Sequence, residues 1–318
     1  MRSIFAALAV VCLAGPATAQ EFPARPVHLV VPYTPGTGAD ILARLLGAKL
    51  GERWKVAVVV ENKPGATGNI GADYVAKSAP DGHTLLLAAT SFATNPSISR
   101  SLPFDPVKSF TPVALVATGS LALIVNAQLP AKSLAEFLEL ARREPGKLHY
   151  GSPGSGGVQH LAMELLKLET GINVVHVPYK GLGGAMSDTI AGHVQAIVSA
   201  LQSAAPHVNS GKLRMLAVMS AERARAFPNV PTMKEAGLPD LEVDTWYALF
   251  APAGTPPAAV MKINADFNFL LEDQSMKIFL EKQGMSAAGG TPERFAGLLQ
   301  RELARWSRVV AAAGIKAD

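Results

Sequence analysis

Short, nearly unbroken apolar runs alternate with amphipathic stretches along most of the chain. Val27-His28-Leu29-Val30-Val31 has too few polar breaks for a strand with one wet face, so it predicts a strand buried on both faces. Ile41, Leu42, Leu45, Leu46 and Leu50 then recur at helical spacing, with Asp40 and Arg44 four apart outside that stripe. A strand at 56–60, a helix at 69–77 and a strand at 84–89 follow. The rhythm returns with a helix at 133–143, a strand at 148–150, a helix at 158–168 and a strand at 174–178. Further strands are predicted at 195–199, 213–219 and 246–251. Pro252-Ala253-Gly254-Thr255-Pro256-Pro257 breaks the last of these, and from Ala258 the pattern is helical. Phe295, Leu298, Leu299, Leu303, Trp306 and Val310 form the apolar stripe of the final helix. Strands alternating with helices predict an α/β fold with crossover connections, as two lobes, each a mainly parallel sheet flanked by helices, and a helical C-terminal tail.

Composition narrows the class. A chain of 318 residues favours two domains. Charged residues make up 17%, below the usual quarter or so, and 49% are hydrophobic, which excludes disorder and coiled coil. The net charge, 29 − 25 = +4, is spread with no run of like charges, so no basic face for nucleic acid is built. At the amino end Arg2, an apolar stretch at 4–15 too short for a bilayer, and Ala17-Thr18-Ala19 predict a signal peptide over 1–19, with cleavage after Ala19 and Gln20 opening the mature chain. The single cysteine, Cys12, lies in that leader, so no disulfide or thiol chemistry is expected of the exported protein. The next longest apolar run, 113–125, is interrupted by Thr118-Gly119-Ser120 and does not reach membrane length.

Three glycine-rich loops each join a predicted strand to a predicted helix: Pro35-Gly36-Thr37-Gly38-Ala39-Asp40, Pro64-Gly65-Ala66-Thr67-Gly68-Asn69 and Gly151-Ser152-Pro153-Gly154-Ser155-Gly156-Gly157. Such loops lie beyond the carboxyl ends of the strands, where open α/β sheets bind ligands. Free N–H groups at the following helix start favour an anion there. Nucleotide motifs fail: Ile41 stands where a third glycine would be needed, and neither Gly146-Lys147-Leu148 nor Gly211-Lys212-Leu213 carries the P-loop hydroxyl. The seven histidines show no ligand-pair spacing, so no metal is expected. A serine hydrolase using Ser155 as nucleophile is the alternative. Its elbow is faulty, because Pro153 replaces the glycine two before the serine.

The chain resembles the periplasmic solute-binding receptors of the tripartite tricarboxylate transporter class, the Bug receptors. The strings that carry the resemblance include Pro26-Val27-x-Leu29-Val30-Val31-Pro32-x-x-Pro35-Gly36 with Asp40-x-x-Ala43-Arg44, and Val58-Val59-Val60-Glu61-Asn62-Lys63-Pro64-Gly65-Ala66. His176-Val177-Pro178-Tyr179-Lys180-Gly181, Pro231-Thr232-x-x-Glu235-Ala236-Gly237 and Trp246 with Ala251-Pro252-Ala253-Gly254 continue it. The resemblance implies a hinged, two-lobed binding protein of the type II kind, not an enzyme, with no cofactor. It would close on a small carboxylate-bearing ligand and serve a membrane permease as a periplasmic monomer. By motif the cleft takes in Tyr33, Gly36, Thr37, Gly38, Ala39 and Asp40 from the first loop, and Thr67, Gly68, Ser91 and Asn95 beyond it. Ser152, Gly154, Ser155, Gly156, His160 and Tyr179 would face them, with Asp188 a candidate for a ligand amine or hydroxyl. Threonine at 37 and 67 departs from the family's usual glycine, which predicts narrower, more hydroxyl-rich loops. The implied lobes are 20–118 with 244–318, and 119–243.

Overall fold

The structure, a computed structural model, describes residues 22–99 and 101–315; the predicted leader and its cleavage site lie outside them. The first lobe opens with β1 (Val27–Val31), α1 (Gly38–Trp54), β2 (Val58–Asn62), a short 3-10 turn at Ala66–Gly68, α2 (Asn69–Ala76), β3 (Thr84–Ala89) and α3 (Ser91–Ile98). Strand β4 (Phe110–Asn126) leads into the second lobe. There follow α4 (Leu134–Arg143), β5 (His149–Ser152), α5 (Val158–Thr170), β6 (Val175–Pro178), α6 (Leu182–Ala191), β7 (Ala196–Ala200), α7 (Leu201–Asn209) and β8 (Leu213–Val218). The chain returns through β9 (Asp244–Pro252) and ends in α8 (Pro257–Glu272), α9 (Gln274–Lys282), β10 (Met285–Ala287) and α10 (Pro292–Ala313).

The sheet runs β2-β1-β3-β9-β4-β7-β5-β6, with β8 and β10 also on β4. The crossover pairs β1–β2, β1–β3, β5–β6 and β5–β7 are parallel, as the alternation of elements predicts. β9 and β4 are different. They run antiparallel to each other and to every other neighbour, so the frame is mixed. The apolar run read above only as too short for a membrane is β4 itself. It is long because it serves both lobes: it pairs with β9 up to Ser120 and with β7 from Leu121. The three-residue β10 interrupts the expected all-helical tail and pairs with 117–119 of β4.

Three apolar clusters cover the faces. One contains α1, α8 and α9 residues such as Leu42, Leu46, Ile263 and Phe267 against the first lobe. Another joins Ala185 and Met186 of α6 and Leu201 of α7 to Ile124 and Ile197 of the second. The largest is shared: Phe295 and Trp306 of α10 belong to one core with Val30 and Phe92 of the first lobe and Leu121 and Tyr150 of the second. Among the described residues no helix is long and apolar enough to cross a membrane.

Candidate ligand-binding site

Register determines where the loops gather. Tyr247 of β9 stands opposite Ala89, so the start of β9 lies beside the carboxyl end of β3. Ser120 pairs with Asp244, while Leu121 pairs with Ala200 at the carboxyl end of β7. The middle of β4 therefore touches the carboxyl end of β7 directly and lies one strand, β9, away from the carboxyl end of β3. The three glycine loops open onto this crossing. Helix α3 of the first lobe reaches the third loop, where a Cβ on Gly156 would stand 2.7 Å from Ile98 Cδ1.

In the first loop Asp40 is committed to the protein. Its carboxylate, in a residue only 3% exposed, accepts from the Gly36 N–H at 2.9 Å, from Arg44 Nε at 3.1 Å and from Asn62 Nδ2 at 2.9 Å. These donors outweigh the cost of burial and hold the carboxyl below its ordinary range. The Thr37 hydroxyl donates to Thr34 O at 3.0 Å and does not cap the helix. Gly36 has φ +83°, a left-handed conformation that suits glycine, with open space where a Cβ would be. Gly38 is the sterically demanding position, since a Cβ there would stand 2.5 Å from the Tyr247 hydroxyl. The amides left at the start of α1, from Gly38 to Asp40, have no cap from Thr37.

The second loop is wound left-handed over Gly65, Ala66, Thr67 and Gly68, at φ 129°, 46°, 55° and 100°. Threonine at 67 is thus a β-branched residue where glycine is favoured. Asn95 holds this turn, donating from Nδ2 to Thr67 O at 2.9 Å and to Asn69 Oδ1 at 3.0 Å. Tyr33, Thr67, Gly68, Ser91 and Asn95 line one depression together with Phe92. The Tyr33 hydroxyl sits 2.7 Å from Ser91 Oγ and accepts from the Ala89 N–H at 2.9 Å; burial pushes its pKa up to about 12.

The third loop is bound by two histidines. His160 Nδ1 accepts from the Gly156 N–H at 2.9 Å, and His176 Nε2 lies 2.6 Å from Ser152 Oγ. The Ser152 hydroxyl also lies 3.0 Å from Gly154 O, so that carbonyl and His176 Nε2 are both within reach of its proton. Gly157, at the N-cap of α5, leaves that helix without a side-chain cap. Ser155 is exposed, and among the described residues its hydroxyl has no histidine partner. The serine that does touch a histidine, Ser152, is fully buried at 0% exposure and so presents no nucleophile to a substrate. Tyr179 and Asp188 form a pair of their own on the α6 side, with the phenol donating to Asp188 Oδ2 at 2.7 Å. Burial and the neighbouring Asp188 raise the Tyr179 pKa to about 12.

Sequence reasoning missed what β9 contributes. Tyr247 packs on the first loop, and the Trp246 N–H donates to Thr90 Oγ1 at 2.8 Å. Trp246, 2% exposed, keeps an unpartnered Nε1–H, and Asp244 two residues before it keeps an unpartnered Oδ1. Burial, reinforced by Glu242 and Glu302, raises the Asp244 carboxyl to about 7. The dipeptide Trp246-Tyr247 looked like ordinary strand; only pairing to β3 and β4 brings it to the loops.

The profile of the tripartite tricarboxylate transporter family receptor matches residues 42–315. The protein BugT of Bordetella pertussis is 36% identical over 311 residues, covering 97% of this chain and 95% of BugT. A solved Rhodopseudomonas palustris protein, Rpa4515 with adipate, is 36% identical with a TM-score of 0.79, covering 93% of this chain and 99% of that one. MatC of the same species, with bound malate, is 33% identical with a TM-score of 0.75, covering 91% and 100%. The chain belongs to the tripartite tricarboxylate transporter receptor family, the solute-binding proteins known as Bug receptors.

Proposed function

We propose that the protein captures a small carboxylate-bearing metabolite between its lobes and delivers it to a membrane permease, without chemistry of its own. The carrying observation is that α1 and α5 begin at glycine loops with no side-chain cap, whereas the first amides of α2 bond back to Ala66 and Gly65 of its own loop. Uncapped amides are an anion site in waiting, and the helix dipole adds to them. Relatives solved with adipate and with malate support the ligand class. The hinge is proposed where β4 changes partner, between Ser120 and Leu121, and where the chain re-enters the first sheet at Asp244, which supports lobes of 20–118 with 244–318 and of 119–243. Export to the periplasm, cleavage after Ala19 and action as a monomer complete the reading.

Native mass spectrometry of protein purified from its own host, followed by calorimetry with adipate and malate, tests it. A retained small carboxylate, or micromolar binding of either acid, is expected. Turnover of an activated ester that disappears in Ser155→Ala would overturn the receptor reading.

A further inference from the structure

Behind the third loop two histidines continue a stack that begins at the buried ring of Tyr150, 4.9 Å from His176 and 6.2 Å from His160. His160 and His176 lie face to face, ring centroids 3.8 Å apart and planes within 9°. Each also holds one part of the loop, through the Gly156 N–H and the Ser152 hydroxyl. We infer that His160 and His176 are positioning residues which, as a neutral stacked pair, hold the third loop's amides in their ligand-binding arrangement. The inference rests on the carboxylate-receptor reading.

Hydrogen bonding fixes the protonation state. Nδ1 of His160 accepts from a backbone N–H, so it carries no proton and the ring is the Nε2–H tautomer. An added proton would set N–H against N–H and release Gly156. It would also place a cation 3.8 Å from the His176 ring. The surroundings favour neutrality. Burial, then His160, lowers the His176 pKa to about 4, and burial lowers that of His160. Glu164 on α5 pulls the other way, with its Oε1 3.9 Å from His160 Nε2, but it is already engaged by Tyr150 of β5 at 2.5 Å and Lys167 at 2.7 Å. From α10, Arg308 turns to Glu169 further along α5. Both histidine pKa values are lowered on folding, so the unfolded chain binds more protons below about 6.5. Stability and loop order are therefore intact above that value and fall as the pH drops toward 4.

The test uses three proteins: wild type, His160→Asn, whose Oδ1 replaces the Nδ1 acceptor without titrating, and His160→Leu, which removes it. Calorimetry with adipate and with malate at about pH 7.5 and about pH 5 should show wild type weakening relative to His160→Asn as the pH falls. His160→Leu should bind about tenfold or more weakly at both values, because the Gly156 amide loses its acceptor. Nitrogen-detected NMR of the ligand-free wild type should show His160 Nδ1 unprotonated, with the Gly156 amide shift following its titration below 6.5. Identical pH profiles for wild type and His160→Asn would overturn the inference, as would a His160 ring that titrates without moving Gly156. If wild type binds neither acid, the ligand class falls, while the ligand-free titration still decides the role of the pair.

Discussion

Helices that follow the parallel strands and helices that begin elsewhere are finished differently. Helix α4 starts with Ser133, which accepts from the Glu136 N–H, while Glu136 reaches back to the Lys132 N–H. Asp273 caps α9 and Thr291 caps α10 in the same manner. Helix α8 has no side-chain acceptor, but Pro257 at its first position removes one donor. After the parallel strands, Thr37, Gly68, Thr90, Gly157, Gly181 and Ala200 leave α1, α2, α3, α5, α6 and α7 without a side-chain cap. A cap is worth about 1 kcal/mol, so leaving six out costs stability wherever no ligand takes their place. On the proposed reading the binding surface is made by omission: helix-start amides beyond the parallel strands are kept open for a ligand, while Asp40, Asn95, His160 and His176 hold the loops.

The sharpest way to break this contrast is to cap a cleft helix. Gly157 has N-cap backbone angles, φ −67° and ψ 158°, and room for a side chain, with Gln159 Oε1 at 3.5 Å its nearest neighbour. Gly157→Asp is expected to stabilise the ligand-free protein by about 1 kcal/mol and to weaken carboxylate binding about a hundredfold, as its own carboxylate fills the anion site. Thermal melting and calorimetry with adipate or malate read both effects. If binding is unchanged, the α5 terminus is not part of the site.

Next in size, Gly38→Ala drives a methyl against the Tyr247 hydroxyl and should cost about 1–3 kcal/mol in folding stability, measured by urea unfolding. Adding Tyr247→Phe removes the nearest atom and should recover part of the loss; no recovery would mean that the loop moves instead. Ser133→Ala should cost about 1 kcal/mol of stability with ligand affinity unchanged, the behaviour of a cap outside the site. The smallest change is expected at Thr67→Gly. Relief of the left-handed threonine, offset by the greater freedom of glycine in the unfolded chain, should leave a gain of about 0.5 kcal/mol by urea unfolding.

Much of the fold was legible because the local signals were strong. The run 27–31 and the stripe from Ile41 to Leu50 read directly as a doubly buried strand and a one-sided helix, and Val27, Leu29 to Val31, Leu42, Leu46 and Leu50 are indeed buried. β4 was not legible. Periodicity cannot tell a long buried strand from any other long apolar run, and its length follows from partners distant in sequence. α3 was missed as well, since Pro96 stands within its eight residues. In the site, the loops announced themselves by glycine. What they do not announce is which glycine matters for what reason: Gly36 for its backbone angle, Gly38 for a tyrosine 209 positions on.

By itself the sequence determined most of the first-lobe elements, the family and the three loops, because apolar period, glycine and helix-start chemistry act over a few residues. Tertiary structure decided the rest. It added Asn62 of β2 to the local Asp40–Arg44 pair, paired Tyr179 with Asp188 on the α6 side, and stacked His160 on His176 behind the third loop. Each of these is a contact whose partner is chosen by strand register or helix packing. A one-residue slip of β6 against β5 would send His176 to the opposite face of the sheet, away from His160.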